Sequence, residues 1–311
     1  IRALNRNDII PDVYDTSFEI EDDISRIKER LRNAEQSDWK DSDIKKLFLN
    51  FNNDENFFSI PKKDHLGSRF FYGDSQAIND INSEGILPPF SYALGGLAEG
   101  WGSAFLPPAS KDVQDWLYSY EDILESFKEI LKDMHVSGDK DELEKVFPIL
   151  KDAYHELEFS NESMSLLNQL KKTNKNSNVL IGKSRLLLNP MNKKFKANLS
   201  ESPTSRKHQD FLEKQRIEMQ RDWYWQIHDA LYRPSIDIKK LSIENKIKLF
   251  PGRRVIEIKK NPDKSMYVNY ITSSGEKVSS GSYEKVFLAA GCVNSSRIIL
   301  NSNGIFGKKL K

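Results

Sequence analysis

The sequence has very little cysteine, since Cys292 is the only one among its 311 residues. A single thiol cannot form a disulfide within the chain, and it cannot supply a cysteine metal cluster. Disulfides are rare in reducing compartments, so this composition favours a cytoplasmic protein. Long apolar runs are missing as well, and no stretch of about 18 apolar residues predicts a membrane span.

Charge of one sign is also lacking, because 47 basic and 46 acidic residues leave a formal net charge of +1. A chain without a strong positive field has no general attraction for nucleic acid or for an anionic membrane. We therefore expect no nucleic-acid partner, and we interpret the basic residues at 193–207 as a solvated loop. Aromatic residues, at 11% of the chain, can fill a core, whereas disordered segments normally have few of them.

The five histidines show no spacing typical of metal ligands, so no metal site is expected. His228 follows the aromatic residues Trp223, Tyr224 and Trp225 in the sequence. These side chains could stack on a sugar, with His228 facing the substrate. The alternative, which we prefer, is a helix whose aromatic residues belong to the core.

Hydrophobic spacing predicts a mixture of helices and strands. Val113, Trp116 and Leu117 begin a helical pattern that continues to about residue 170. Strands are predicted where short apolar runs are bounded by turn residues, at 179–182, 247–250, 254–258 and 266–271. The later strands form a meander that leads directly into the apolar residues at 286–291.

A glycine-rich apolar run spans residues 92–108, and its only charged residue is Glu99. Four of its glycines stand within eight residues, which excludes a regular helix because each interior glycine costs about 1 kcal/mol relative to alanine. Backbone amides in such a loop can donate to a planar ligand, and Trp101 could stack on that ligand. The alternative is a buried crossover loop that binds nothing.

Residues 286–291 form a continuous apolar run, which is typical of a strand buried on both faces of a parallel sheet. A helix is predicted over 295–300, with Asn294 or Ser295 as its cap and an N-terminus that would favour a phosphate. The small residues at 289–291 would let a cofactor approach the backbone, or they would simply pack at an ordinary strand–helix turn. Cys292 is expected to be a buried, inert thiol.

Together these features resemble the glucose–methanol–choline oxidoreductase family and its relatives encoded with polysaccharide biosynthesis. Gly95–Pro107 is similar to a GGLSNVWGGAVLP-like segment near the flavin of that family. Val286–Leu300 is similar to its later VVLAAGAL-S-RLLL-like signature, and Asp115-Trp116 stands where a D-W pair commonly follows the first motif. The resemblance covers residues 65–120 and 245–305 well and the middle of the chain only in outline.

The resemblance implies a mixed α/β fold, with a partial Rossmann-like FAD-binding domain, a β-meander and a largely helical substrate or cap region. The implied domains are a partial FAD-binding region at 1–110, the helical region at 111–245 and a return to the FAD-binding domain at 246–311. The implied activity is an FAD-dependent enzyme that transfers hydride from a CH–OH group of an alcohol or sugar to the flavin. An electron acceptor of unknown identity would then reoxidise the flavin. The residues implied to bind FAD are Gly95, Gly96, Trp101 and Gly102 at the flavin, Val255 at the adenine, and Ala290 and Gly291 near the diphosphate or ribityl chain.

The sequence also departs from the family. The G-x-G-x-x-G fingerprint that holds the FAD pyrophosphate is absent, and so is the C-terminal segment with the catalytic histidine. We therefore assign no catalytic residue and expect an internal fragment that by itself binds FAD weakly or not at all. Residues 221–234 stand where polysaccharide-cluster relatives often have cysteines; they contain none, so no iron–sulfur cluster is expected. The alternative function is a degenerate, non-catalytic module for binding or scaffolding.

Overall fold

The computed structural model describes residues 1–34, 38–49, 70, 75, 78, 90–151, 161–173, 179–188 and 231–305. The chain folds into two compact units. The first unit comprises residues 1–30, 39–101 and 233–311, and the second comprises residues 31–38 and 102–232. Both units contain helices and strands, which confirms the predicted mixture, while the Rossmann-like domain stays a prediction.

The helices are α1 (Arg2–Asn5), α2 (Asp22–Asn33), α3 (Asp41–Leu49), α4 (Tyr120–Leu131), α5 (Asn161–Thr173), α6 (Pro234–Ile243) and α7 (Gly291–Ser302). Short 3-10 helices occupy Gly96–Glu99, Ser110–Val113 and Glu142–Lys145. Among the described helices, none combines the length and the apolar composition that crossing a bilayer requires.

The strands are β1 (Asp12–Tyr14), β2 (Val136–Ser137), β3 (Leu186–Leu187), β4 (Lys248–Phe250), β5 (Arg253–Lys260), β6 (Met266–Thr272) and β7 (Lys277–Ser279). The first unit contains an antiparallel meander in the order β5-β6-β7 and a parallel β1-β4 pair. The predicted meander is therefore present, but its expected first strand, at 247–250, pairs with β1 instead. In the second unit β2 pairs with β3 antiparallel.

Helices α2 and α3 show how local sequence builds the first unit. Two aspartates stand in the first turn of α2, where the partial positive charge of a helix N-terminus favours them. Ile24 and Ile27 of α2 are buried, as are Ile44 and Leu47 of α3, and each pair is spaced to lie on one helix face. The two helices are tied by ion pairs from Arg30 to Asp43 and from Lys46 to Asp23.

The second unit is organised around a buried arginine. Arg185 donates to the carboxylates of Asp141 and Glu144 at 2.9 and 3.3 Å, and to the Phe147 carbonyl at 3.0 Å. Asp141 also accepts from the Lys183 amide at 2.6 Å. A buried guanidinium is tolerated only when its charge and its donors are matched, so this network fixes the loop at 141–147 to the segment before β3.

Two sequence-based predictions in the second unit are wrong. Trp116 and Leu117 were expected on an apolar helix face, but they lie in a turn and are 58% and 99% exposed. The reason is local: Ser119 and Asp122 form a capping box, so α4 begins at Tyr120 and the earlier residues are outside its register. The predicted strand at 179–182 is not a strand, and the pairing residues are Leu186 and Leu187 instead.

Candidate functional site

The glycine-rich turn begins with a short parallel pairing. The Phe18 amide donates to the Tyr92 carbonyl and the Leu94 amide donates to the Phe18 carbonyl, both at 3.0 Å. Gly95 and Gly96 follow with φ values of +94° and +67°, a region that glycine adopts without the steric cost of a Cβ. The chain then enters the 3-10 helix Gly96–Glu99.

Glu99, the one charged residue of this run, is buried. Its carboxylate accepts from the Ser235 amide at 2.9 Å and from the Ser235 hydroxyl at 2.7 Å. Ser235 stands in the first turn of α6, whose N-cap residue Arg233 makes no side-chain cap. Glu99 therefore caps α6 from a distant part of the sequence, where its charge also meets the positive end of the helix.

Burial raises the pKa of the Glu99 carboxyl above its ordinary value, because desolvation penalises the charged form. The hydrogen bonds from Ser235 oppose this shift, and so do the positive charges of Arg233 and Lys239. The carboxylate of the glycine-rich turn therefore interacts with groups of the protein itself, at the start of α6. No sequence pattern indicated this role, since Ser235 is 136 residues away.

Gly95 is required by this arrangement. A Cβ at Gly95 would overlap the Glu99 carboxylate and lie 2.9 Å from the Ser235 amide nitrogen. The space beside Gly95 is therefore filled by the protein's own side chain. At Gly96, by contrast, no described atom lies within 4 Å of a Cβ position, so this glycine leaves room for a ligand.

The second glycine turn lies at the start of α7. The helix begins at Gly291, which has a φ of +76°, and Ala290 before it provides no side-chain cap. Ala290 and Gly291 are both exposed, and no described atom lies within 4 Å of a Cβ at Gly291. The first amides of a helix have no partner within the helix and favour an anion, so this end of α7 suits a phosphate oxygen.

The structure corrects several expectations around this turn. Residues 286–290 are not in a strand, and Phe287 is 71% exposed, although a buried strand was predicted. A continuous apolar run becomes a central strand only when strands flank it, and the described residues supply none. Asn294 does not cap α7 because the helix begins three residues earlier, and Cys292 is exposed rather than buried.

Side chains of α7 satisfy the free edge of β5. Arg297 Nη2 donates to the Val255 carbonyl at 3.4 Å, and Asn301 Nδ2 donates to the Ile256 carbonyl at 3.1 Å. The Ile258 amide donates to the Ser302 hydroxyl at 2.8 Å. An edge strand needs such partners for its backbone groups, and a helix face supplies them here. Val255, expected at the adenine, therefore has its carbonyl engaged by Arg297.

The two glycine turns belong to the same compact unit, except that Gly102 is assigned to the second unit. A contact joins residues of the two motifs: the Arg297 guanidinium carbon lies 6.0 Å from the centre of the Tyr92 ring. Trp101, expected to line the flavin, is half-buried. The structure thus brings Tyr92, at the start of the first motif, near Arg297, toward the end of the second, and Val255 lies beside the second motif through its bond with Arg297.

Two further kinds of site were considered in the sequence, a sugar-stacking aromatic cluster and a metal site. His228 and the aromatic residues Trp223, Tyr224 and Trp225 are outside the described residues. Within the described ranges, no group of three or more His, Cys, Asp or Glu side chains is arranged to hold a metal ion. Arg297, Asn301 and Ser302 were missed by sequence analysis, although Arg297 and Asn301 are four residues apart on α7, a spacing typical of one helix face.

No family model matches the chain, and no curated protein matches it. The resemblance to the glucose–methanol–choline oxidoreductases therefore stays a prediction that depends on the two motifs.

Proposed function

We propose that this protein is an FAD-dependent oxidoreductase that acts on the CH–OH group of an alcohol or sugar. The observation behind the proposal is a contact between the two motifs: both lie largely in one compact unit, and Arg297 of the second motif lies over the Tyr92 ring of the first. The open N-terminus of α7, the helix that contains Arg297, adds a place for a phosphate oxygen.

The residues of the second turn fit a nucleotide better than those around Gly95. At Gly291 the space beside the backbone is open, and the uncapped amides of α7 can donate to an oxyanion. At Gly95 the equivalent space belongs to Glu99, so we assign Gly96 rather than Gly95 to the approach of the ring system. When bound, FAD supplies the redox chemistry, and the protein binds and orients it.

The test is reconstitution of the full-length protein with FAD, followed by its visible absorption spectrum. We expect a bound-flavin band that survives gel filtration and is bleached, without oxygen, by one member of a panel of alcohols and sugars. A protein that is folded by circular dichroism but retains no flavin would contradict the cofactor assignment. A flavoprotein that no alcohol or sugar bleaches would contradict only the substrate class.

A second candidate function is a non-catalytic binding or scaffold module that keeps this fold. The observation that favours it is the carboxylate of Glu99 in the space beside Gly95, together with the exposed run that contains Phe287. The same experiment separates the two candidates, because a scaffold module would be folded and stable without retaining FAD.

A further inference from the structure

The last turn of α7 ends in an exposed Asn-Gly pair. Asn303 is the C-cap residue of the helix, with φ −95° and ψ 2°, and Gly304 follows it with a φ of +66°. Both residues are exposed. In the sequence this is the single position at which glycine follows asparagine. The pair therefore combines access to water with a following residue that has no side chain, and both conditions affect the chemistry of the asparagine amide.

An asparagine followed by glycine can lose its side-chain amide without an enzyme. The Gly304 nitrogen attacks the Asn303 Cγ and forms a cyclic imide, while the Cγ–Nδ2 bond breaks and ammonia leaves with the proton of the Gly304 amide. Water then opens one of the two C–N bonds of the imide, which leaves aspartate or isoaspartate with no change of oxidation state. A side chain on the attacking residue would hinder the first step, and glycine has none.

The folded structure opposes this reaction with two hydrogen bonds. The Gly304 amide donates to the Asn301 carbonyl at 3.0 Å, and Asn303 Nδ2 donates to the Ile299 carbonyl at 2.8 Å. Each bond engages one of the reacting groups, so the last turn of α7 has to open before the ring can close. Helix ends fray at little cost in free energy, and both reacting residues are exposed. The reaction is therefore accessible to the folded protein and does not require global unfolding.

We propose that Asn303 is a site of spontaneous deamidation, and that its conversion weakens the contact between the last turn of α7 and β5. The product carboxylate cannot donate to the Ile299 carbonyl, and it adds negative charge at the end of the helix where the macrodipole is already negative. Ser302, the neighbouring residue, accepts from the Ile258 amide of β5 at 2.8 Å. Opening of this turn therefore removes a partner from the edge of β5, whether or not the protein binds FAD.

The first test follows the mass of the folded full-length protein during incubation at mildly alkaline pH. Fragmentation of the digested peptides assigns each mass gain to one asparagine. We expect Asn303 to gain one mass unit and to yield two chromatographic forms, aspartate and isoaspartate. Asn294 and Asn301 are the internal controls, because serine follows each of them on the same helix. They should convert at least about tenfold more slowly, which corresponds to a barrier difference of about 1.4 kcal/mol.

Two results of this test would overturn the site. The first is an Asn303 that converts no faster than Asn301. The second is a mass gain at this position in Asn303→Gln, where the amide carbon is one bond further from the Gly304 nitrogen and ring closure is disfavoured. We expect Asn303→Gln to show no mass gain over the same incubation.

The second test measures hydrogen exchange of the Ile258 amide, with Asn303→Asp as the product and Asn303→Gln as the uncharged control. We expect this amide to exchange about fivefold faster in Asn303→Asp, through the lost hydrogen bond and the unfavourable charge. The Val268 amide of β6, which donates to the Ser280 hydroxyl at 2.9 Å, should exchange equally in both variants. Equal exchange of the Ile258 amide in the two variants would overturn the effect on β5.

Discussion

The glycine turns at Gly95 and Gly291, both in the first unit and both in positive-φ backbone, differ in what faces them. At Gly95 the protein's own carboxylate fills the space and caps α6, so the turn is closed by an internal anion. At Gly291 the space is open among the described residues and the helix end has no side-chain cap. Glycine in a turn therefore has two uses here: one permits internal packing and the other leaves backbone amides accessible.

The largest expected effect comes from breaking the closed turn. Glu99→Ala removes two hydrogen bonds, uncaps α6 and leaves the half-buried Ser235 amide without this partner. We expect a loss of about 2–4 kcal/mol in the free energy of unfolding, measured by urea denaturation. Glu99→Gln is the matched control: it retains an acceptor for the Ser235 amide and should cost about 1 kcal/mol or less. Equal losses in the two variants would contradict the capping role.

A comparison of adjacent glycines sharpens the same point. Gly95 and Gly96 both have positive φ, so alanine at either position costs about 1–2 kcal/mol of backbone strain. At Gly95 the new Cβ would also overlap Glu99, which should add about 1 kcal/mol. Unfolding free energies of the two alanine variants measure the difference. If Gly96→Ala proves as destabilising as Gly95→Ala, the space at Gly95 is not specially filled.

The smallest expected effect is the pH dependence of stability, where two carboxyls have opposite signs. The Glu99 pKa is raised by burial, so the folded state disfavours ionisation and loses stability as pH rises above the ordinary carboxyl range. The Glu257 pKa is lowered to about 2, mainly by the hydrogen bond from Asn269 and further by Lys259 and Lys277. Its stabilisation is present above the usual pKa of 4.5 and is lost as pH falls toward 2.

Unfolding free energies of wild type, Glu99→Gln and Glu257→Gln between pH 2 and pH 7 (roughly the window in which carboxyls titrate) test both signs. Glu257→Gln should flatten the loss of stability at the acid end. Glu99→Gln should remove a small decline toward neutral pH. A decline that persists in Glu99→Gln would place its origin at another group.

Sequence alone predicted the parts of the fold that depend on local residues. The turn at 261–263 lies between β5 and β6, the turn at 274–276 follows β6, and both contain their own turn-forming residues. The ends of β5 and β6 were predicted to within two residues. The late start of α4 could also have been predicted, since the Ser119–Asp122 capping box is visible in the sequence.

The remaining features depend on distant residues. Whether the apolar run at 286–290 lies in a sheet depends on strands elsewhere, and the run itself does not contain that information. The partner of Glu99 is equally remote, because Ser235 meets it only after the chain has passed through the second unit. The sequence therefore does not distinguish the turn at Gly95, which is filled by Glu99, from the turn at Gly291, which is open. Only the contacts around each turn show the difference.

The most direct measurement compares the two ends of α7 in FAD binding. Gly291 and Gly304 both have positive φ and open space at the Cβ position, so alanine should cost similar stability at each. Only Gly291 stands at the N-terminal amides that we assign to the nucleotide. The account predicts that Gly291→Ala weakens FAD binding about tenfold, equivalent to about 1.4 kcal/mol, while Gly304→Ala binds like wild type. Equal FAD affinity in the two variants, with wild type binding FAD, would contradict a cofactor site at this turn.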